Sequence, residues 1–251
     1  MRADQLLVDR GLAASRSQAQ RLIASGVEWR LGVKPWQRVV KNGDELPEPS
    51  EVRILNNAEV RYVSRGGLKL EGALQCSGLS VQGLRCLDVG QSTGGFTDCL
   101  LHKGATRVVG LDVGHGQLHS RLRDDARVIC VERINARELK PDDARVPDVR
   151  EGFDLVVGDL SFISLTLVLP ALLPLLRKDG ALLMLVKPQF ELQPSDIGKG
   201  GLVKDEASYA KVETRLREAC AALDLDVLGY WPSVIAGGDG NQEFWIGAQH
   251  A

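Results

Sequence analysis

Three glycines punctuate the segment Asp88-Val89-Gly90-Gln91-Ser92-Thr93-Gly94-Gly95-Phe96, which follows a short apolar run and precedes a helical stretch. A glycine-rich turn at the carboxyl end of a strand lets a ligand approach the backbone and offers it helix-terminal N–H groups. The next apolar run ends in Asp112, 24 residues after Asp88. A carboxylate there can accept both ribose hydroxyls of a nucleotide-like cofactor. The glycines are not spaced G-x-G-x-x-G and no G-x-x-x-x-G-K-[ST] occurs, which disfavours a dinucleotide or a triphosphate and leaves S-adenosylmethionine as the natural candidate. The plainer alternative is that the glycines serve only a tight turn.

Other charged residues fall at the ends of apolar runs: Asp159 in VVGDLSF, Lys187 in LLMLVKPQF and Glu243 in GNQEFW. A lysine directly after six largely aliphatic residues lies at the mouth of a core strand, where burial favours the neutral amine that can act as a base. The competing reading is a snorkelling lysine paired with a nearby acid. Lys69, on the helical stretch GGLKLEGAL, is unremarkable by itself. Arg121, Arg123 and Arg127 lie among Asp124 and Asp125 and read as a solvated face, with an RNA backbone contact as the alternative. Trp29 and Trp36 suit a minor core or base stacking. His102, His115, His119 and His250 lack ligand spacing, and no metal is expected. The five cysteines include no C-x-x-C pair, so neither a disulfide framework nor a zinc knuckle is indicated and a cytosolic location is expected.

These residues need a scaffold. From about residue 66 the runs RCLDVG, RVVGLDVG, RVICVER, FDLVVGDL and ALLMLVKP alternate with helical stretches near 95–104, 115–122 and 163–177. Near-continuous apolar strands between helices imply a parallel sheet covered on both faces. A helix near 205–223 leads to DVLGYWPSVI and NQEFWIGAQ, which can form an antiparallel edge. Upstream, Ser15 with Gln18 reads as a capping box, Ala19, Leu22 and Ile23 as an apolar stripe, and Gly26 as the helix end. Hairpin-like pieces follow, with a turn at Asn42-Gly43, and then a linker-like segment with one strand at Val52 to Leu55. Residues 1–70 carry 12 basic and 8 acidic side chains, against 31 and 33 in the whole chain of 251, so a basic appendage precedes an acidic body. The longest apolar run, Leu165 to Leu176, contains Pro170 and Pro174 and is too short to span a bilayer.

The order Lys69, Asp159, Lys187, Glu243 resembles the K-D-K-E tetrad of the FtsJ-like ribose 2′-O-methyltransferases. The segments SRGGLKL, DVGQSTGGFTD, GDLSFISL, VKPQFE and GNQEF resemble the TlyA family across essentially the whole chain. That family begins with a small RNA-binding domain of the kind found in a small-subunit ribosomal protein, which SRSQAQRLIASG resembles. After Gly26 the chain departs from it, with GVEWRLG in place of a G-x-V-x-V-N-G turn. The resemblance implies a Rossmann-like class I methyltransferase fold of the α/β class, with a mostly parallel seven-stranded sheet over residues 66–251. A small N-terminal α+β RNA-binding domain over 1–60 and a linker at 61–65 would precede it. It further implies methyl transfer from S-adenosylmethionine to the 2′-hydroxyl of a ribosomal RNA cytidine, Lys187 being the base, Lys69 lowering its affinity for a proton, and Asp159 and Glu243 orienting amine and hydroxyl. Asp88, Gly90, Ser92, Thr93, Gly94, Gly95, Phe96, Asp112, Val113, Asn135 and Asp159 are the expected cofactor contacts, with Asn135 near the adenine. Arg16, Arg21 and Arg65 are the expected RNA contacts. Ribosomal RNA or a ribosomal subunit is the implied partner, with no membrane and no obligate protein partner. Since family members are often labelled haemolysins, a cytolysin is one rival reading, and a cofactor-sensing assembly factor without turnover is another.

Overall fold

The computed structural model describes residues 1–55 and 61–251, which form two compact units, Met1–Arg65 and Gly66–Ala251. In the first unit, helices α1 (Ala3–Asp9) and α2 (Arg16–Gly26) pack with a three-stranded sheet of β1 (Val27–Arg30), β2 (Gln37–Arg38) and β3 (Glu51–Ile54), in the order β2-β1-β3. The Ser15 side chain accepts the Gln18 N–H and starts α2, while Gln18 Oε1 accepts the Ala14 N–H at 2.6 Å. Ala19, Leu22 and Ile23 then face a core with Leu6, Leu7, Val27 and Leu46.

The strand expected inside a linker is instead part of this sheet. β3 runs antiparallel to β1 from Val27↔Ile54 to Arg30↔Glu51. Its alternation, Val52 and Ile54 inward with Glu51 and Arg53 outward, suits a half-buried strand. Trp29 packs against the core, and the guanidinium groups of Arg30 and Arg53 lie over the Trp36 ring at 4.7 and 4.3 Å. The boundary expected at residue 60 lies outside the described residues.

The second unit is built on a seven-stranded sheet, ordered β6-β5-β4-β7-β8-β10-β9. Its strands are β4 (Arg85–Val89), β5 (Arg107–Asp112), β6 (Val128–Glu132), β7 (Phe153–Gly158), β8 (Leu176–Val186), β9 (Leu225–Pro232) and β10 (Phe244–His250). The first five pair in parallel, while β10 is antiparallel to both β8 and β9. The chain steps outward from β4 to β6 and returns to the far side of β4, so the order reverses between β4 and β7. A crevice opens beyond the carboxyl ends of strands at such a reversal.

The helices of this unit are α3 (Gly66–Ser77), α4 (Gly95–His102), α5 (Ser120–Arg123), α6 (Leu165–Leu172), α7 (Pro188–Glu191) and α8 (Ser208–Ala221). Two differ from expectation. The helix expected at 115–122 is a single turn at Ser120–Arg123, capped by the His119 ring. The one expected at 163–177 stops at Leu172, turns through a 3₁₀ segment, and β8 already begins at Leu176. Pro174 has no N–H for the helical ladder, and its ring opposes the carbonyl four residues back. Among the described residues no helix is long and apolar enough to cross a membrane.

Candidate active site

At the end of β4, the Gly90 and Gln91 N–H groups both donate to the Leu111 carbonyl, at 2.8 and 3.0 Å, and the Asp159 N–H donates to the Val89 carbonyl at 3.0 Å. These bonds hold the first turn between its two neighbours. Gly90 has φ +86°, and a Cβ there would collide with the Asp159 carbonyl, so the close approach requires glycine. Asp112, the last residue of β5, accepts the Ser92 N–H on Oδ2 and the Gly114 N–H on Oδ1, each at 2.7 Å. Two backbone donors fix this carboxylate while it stays at the rim of a cavity.

That cavity measures about 500 Å³, large enough for a nucleoside-sized ligand. Gly90, Ser92, Asp112, Val113, Asn135 and Asp159 line it, as expected from the sequence. Asn135 caps a 3₁₀ turn, its Oδ1 accepting the Arg137 N–H at 3.1 Å. Gln117, Arg137 and Phe162 also line the cavity and were not anticipated; all three follow strands β5, β6 and β7 on the same rim. An anchored carboxylate, an amide and apolar walls from Leu111, Ile134 and Val168 suit the ribose and base of an adenosine-type cofactor.

Five expected cofactor contacts lie elsewhere. Asp88 is buried behind the turn, where Oδ2 accepts the Thr97 N–H at 3.0 Å and the Thr97 hydroxyl at 2.7 Å. Burial pushes its carboxyl up to about 7. Gly94 is the N-cap of α4 with φ +92°, and Leu118 and Leu122 occupy the space a Cβ would need. Gly95 is buried in α4, Phe96 packs on Trp245 with ring centroids 5.4 Å apart, and the Thr93 carbonyl accepts the His119 N–H. These residues shape the turn from behind and do not line the cavity.

The four residues of the tetrad resolve into two ion pairs. Lys69, on α3, is buried and donates to Glu243, which directly precedes β10 and is also buried. Lys187, directly after β8, has Nζ 2.5 Å from Asp159 Oδ1 and donates to Ser161 Oγ at 2.9 Å. The pairs are neighbours, because the Glu243 carboxyl, pushed up by burial and pulled down by Lys69, also responds to Asp159 and Lys187. Each lysine thus has its own carboxylate, Glu243 for Lys69 and Asp159 for Lys187.

The expected RNA contacts fall in the first unit. Arg16 Nη2 lies 3.0 Å from Asp4 Oδ2, Arg21 donates to the Ser17 carbonyl, and Arg65 is the last residue of the unit. Arg2, not anticipated, shares the fully buried Asp4 carboxylate with Arg16, and the two cations hold that carboxyl well below the usual range. In the second unit Arg121 pairs with Asp98, Arg127 with Asp125, and Arg123 donates to the Leu118 carbonyl; all three arginines are exposed, as expected of a solvated face. Among the described residues no three His, Cys, Asp or Glu side chains converge to hold a metal.

Residues 62–250 match the FtsJ-like methyltransferase family. The chain is 42% identical over 245 residues to the 16S/23S rRNA (cytidine-2′-O)-methyltransferase TlyA of Mycobacterium tuberculosis, covering 98% of this chain and 88% of that one. A solved structure from Streptococcus thermophilus, described as a hemolysin candidate, is 39% identical with a TM-score of 0.74, and covers 100% of this chain and 88% of its own. An S-adenosylmethionine dependent methyltransferase from Mesorhizobium loti shares the fold of the larger unit at 16% identity and a TM-score of 0.53, covering 72% of this chain and 98% of that one. With the reversal point, the anchored strand-end acid and the paired lysines all in the matched region, the chain belongs to the FtsJ-like methyltransferase family, among the relatives named TlyA.

Proposed function

We propose that this protein transfers the methyl group of S-adenosylmethionine to the ribose 2′-hydroxyl of a cytidine in ribosomal RNA, in the cytoplasm. The observation that carries the reading is Lys187 Nζ lying 2.5 Å from Asp159, a residue of the cavity wall. It is reinforced by the relatedness to the M. tuberculosis rRNA methyltransferase. When bound, the cofactor supplies an electrophilic methyl on a sulfonium. A ribose hydroxyl is a poor nucleophile, so the protein must remove its proton while holding the oxygen in line. Lys187 Nζ, once neutral, would accept that proton while the bound cofactor would supply the methyl group to the hydroxyl oxygen. Asp159 and Ser161 aim the amine and then stabilise the ammonium that results. The buried Lys69–Glu243 pair would orient the hydroxyl as a fixed dipole.

In this reading Asp112 accepts the cofactor's ribose hydroxyls and Asn135 lies on its adenine side. Residues 1–60 anchor RNA through Arg16 and Arg21, with Arg65 as a further contact. The test is transfer of a labelled methyl group to rRNA, followed by mapping of 2′-O-methyl positions in cells with and without the chain. Absence of a chain-dependent position in either subunit's RNA would overturn the assignment.

A further inference from the structure

Glu191 is 3% exposed and belongs to neither ion pair of the tetrad, yet both its carboxylate oxygens are engaged. Oε2 accepts the Ser164 hydroxyl and Oε1 the Leu165 N–H, each at 2.6 Å. Burial raises its proton affinity, while those two donors and Arg215 oppose the rise. Arg215 donates to the Glu191 carbonyl and reaches the Thr166 hydroxyl, tying α8 into the same junction.

The position of this junction gives it a use. Leu160, Ser161, Phe162 and Ile163 form one wall of the cavity, and that wall ends at Ser164, the N-cap of α6. Lys187 starts the turn that ends at Glu191. The two segments are therefore joined at three levels: Lys187 to Asp159 and Ser161, Phe190 to Phe162 with ring centroids 5.1 Å apart, and Glu191 to Ser164 and Leu165. Phe162 has φ +64°, a left-handed conformation uncommon for a bulky residue, with its side chain 90% exposed and the Phe190 ring against it. The Glu191 bonds close the segment just beyond that strained residue. We infer that Glu191 is a positioning residue that locks the cavity wall Leu160–Ile163 and the Lys187 amine into one unit, so that the base is aligned only on a correctly formed cofactor wall.

This inference rests on the methyltransferase reading above, and its test separates the two. Single-turnover methyl transfer at saturating cofactor and rRNA is measured beside calorimetric binding of S-adenosylhomocysteine, for wild type, Glu191→Ala, Glu191→Gln and Ser164→Ala. Glu191→Ala should lose about 10- to 100-fold in rate per folded molecule, since misplacing a catalytic group by about 1 Å can cost about 100-fold. Glu191→Gln keeps an acceptor for the Leu165 N–H and can donate to Ser164 Oγ, so it should stay within about threefold of wild type. Ser164→Ala, which removes one of the two bonds, should fall between them. A purely structural glutamate would lower the melting temperature and leave the rate per folded molecule unchanged, and that result overturns the inference, as does equal damage from Gln and Ala. If Glu191→Ala does not fold, an unchanged rate in Ser164→Ala overturns it. With the wall loosened, Glu191→Ala should also bind S-adenosylhomocysteine at least about threefold more weakly; a wild-type protein that transfers no methyl to rRNA would sink the function, and unchanged affinity in Glu191→Ala would then overturn this inference separately.

Discussion

Lys69 and Glu243 stand 174 positions apart and meet as a buried ion pair between α3 and the start of β10. Such a pair contributes little net stability, but removing one partner strands the other charge in a low dielectric. Glu243→Ala should therefore cost about 3–5 kcal/mol, read as a lower denaturant midpoint at unchanged slope. The double substitution Lys69→Met with Glu243→Leu should recover most of that loss while leaving methyl transfer abolished. A double variant as unstable as the single one would show that the pair is needed for packing as well as for chemistry.

Asp88 gives the stability a pH dependence of defined sign. Its carboxyl is pushed up to about 7 by burial, against an ordinary value of 3.8, so the folded state holds a proton that the unfolded chain releases. Its contribution is fully present below the ordinary carboxylate range and is lost as pH rises through about 7. Between about pH 5 and pH 8 wild type should lose about 2–3 kcal/mol through this group, and Asp88→Asn should flatten that slope. Denaturation curves at the two pH values decide it; equal slopes in both proteins would mean that Asp88 is ionised throughout.

Asp88 and Asp112 also mark the limit of what a single sequence discloses. Each ends an apolar run and is followed within two residues by glycine, so spacing alone treats them alike. In three dimensions Asp88 turns inward to cap Thr97, whereas Asp112 stays at the rim. The alternation of strands and helices, and with it the mostly parallel sheet, could be read because apolar runs, charged ends and turn glycines repeat, whereas the order of the strands could not. Which lysine pairs with which acid could not, because the partners lie on elements far apart in the chain. The shortened helix at Leu165–Leu172 was readable in principle, since Pro170 and Pro174 both stand in that run. The three-level joint between the segments after Asp159 and Lys187 left no local signal, because it depends on β7 and β8 being neighbours.

Asp112 and Gly94 should fail in different ways. Asp112→Ala removes an anchored carboxylate at the cavity rim, and binding of S-adenosylhomocysteine should weaken by about 1.5–3 kcal/mol, the range for a charge-assisted hydrogen bond. Gly94→Val forces a β-branched residue to a positive φ against Leu118 and Leu122, so it should lower the melting temperature before it affects affinity. Calorimetry and thermal melts on both variants separate the effects. Normal affinity in Asp112→Ala would remove that residue from the cofactor site, and a stable Gly94→Val that has lost binding would restore Gly94 to it.

The assignment of the base rests on Lys187, whose amine is held by Asp159 and Ser161. Lys187→Ala removes the proton acceptor, and general-base contributions are typically about 10²–10⁴-fold, so its single-turnover rate should fall at least about 100-fold with S-adenosylhomocysteine affinity unchanged. Lys187→Arg keeps the charge beside Asp159 but cannot take up the hydroxyl proton, and it should be nearly as slow. Asp159→Asn isolates the carboxylate: the amine loses its ionic partner and keeps only Ser161 to aim it, so the single-turnover rate should fall about 10- to 100-fold. Near-full activity in both Asp159→Asn and Lys187→Arg would make Lys187 an electrostatic positioner and send the search for the base to Lys69.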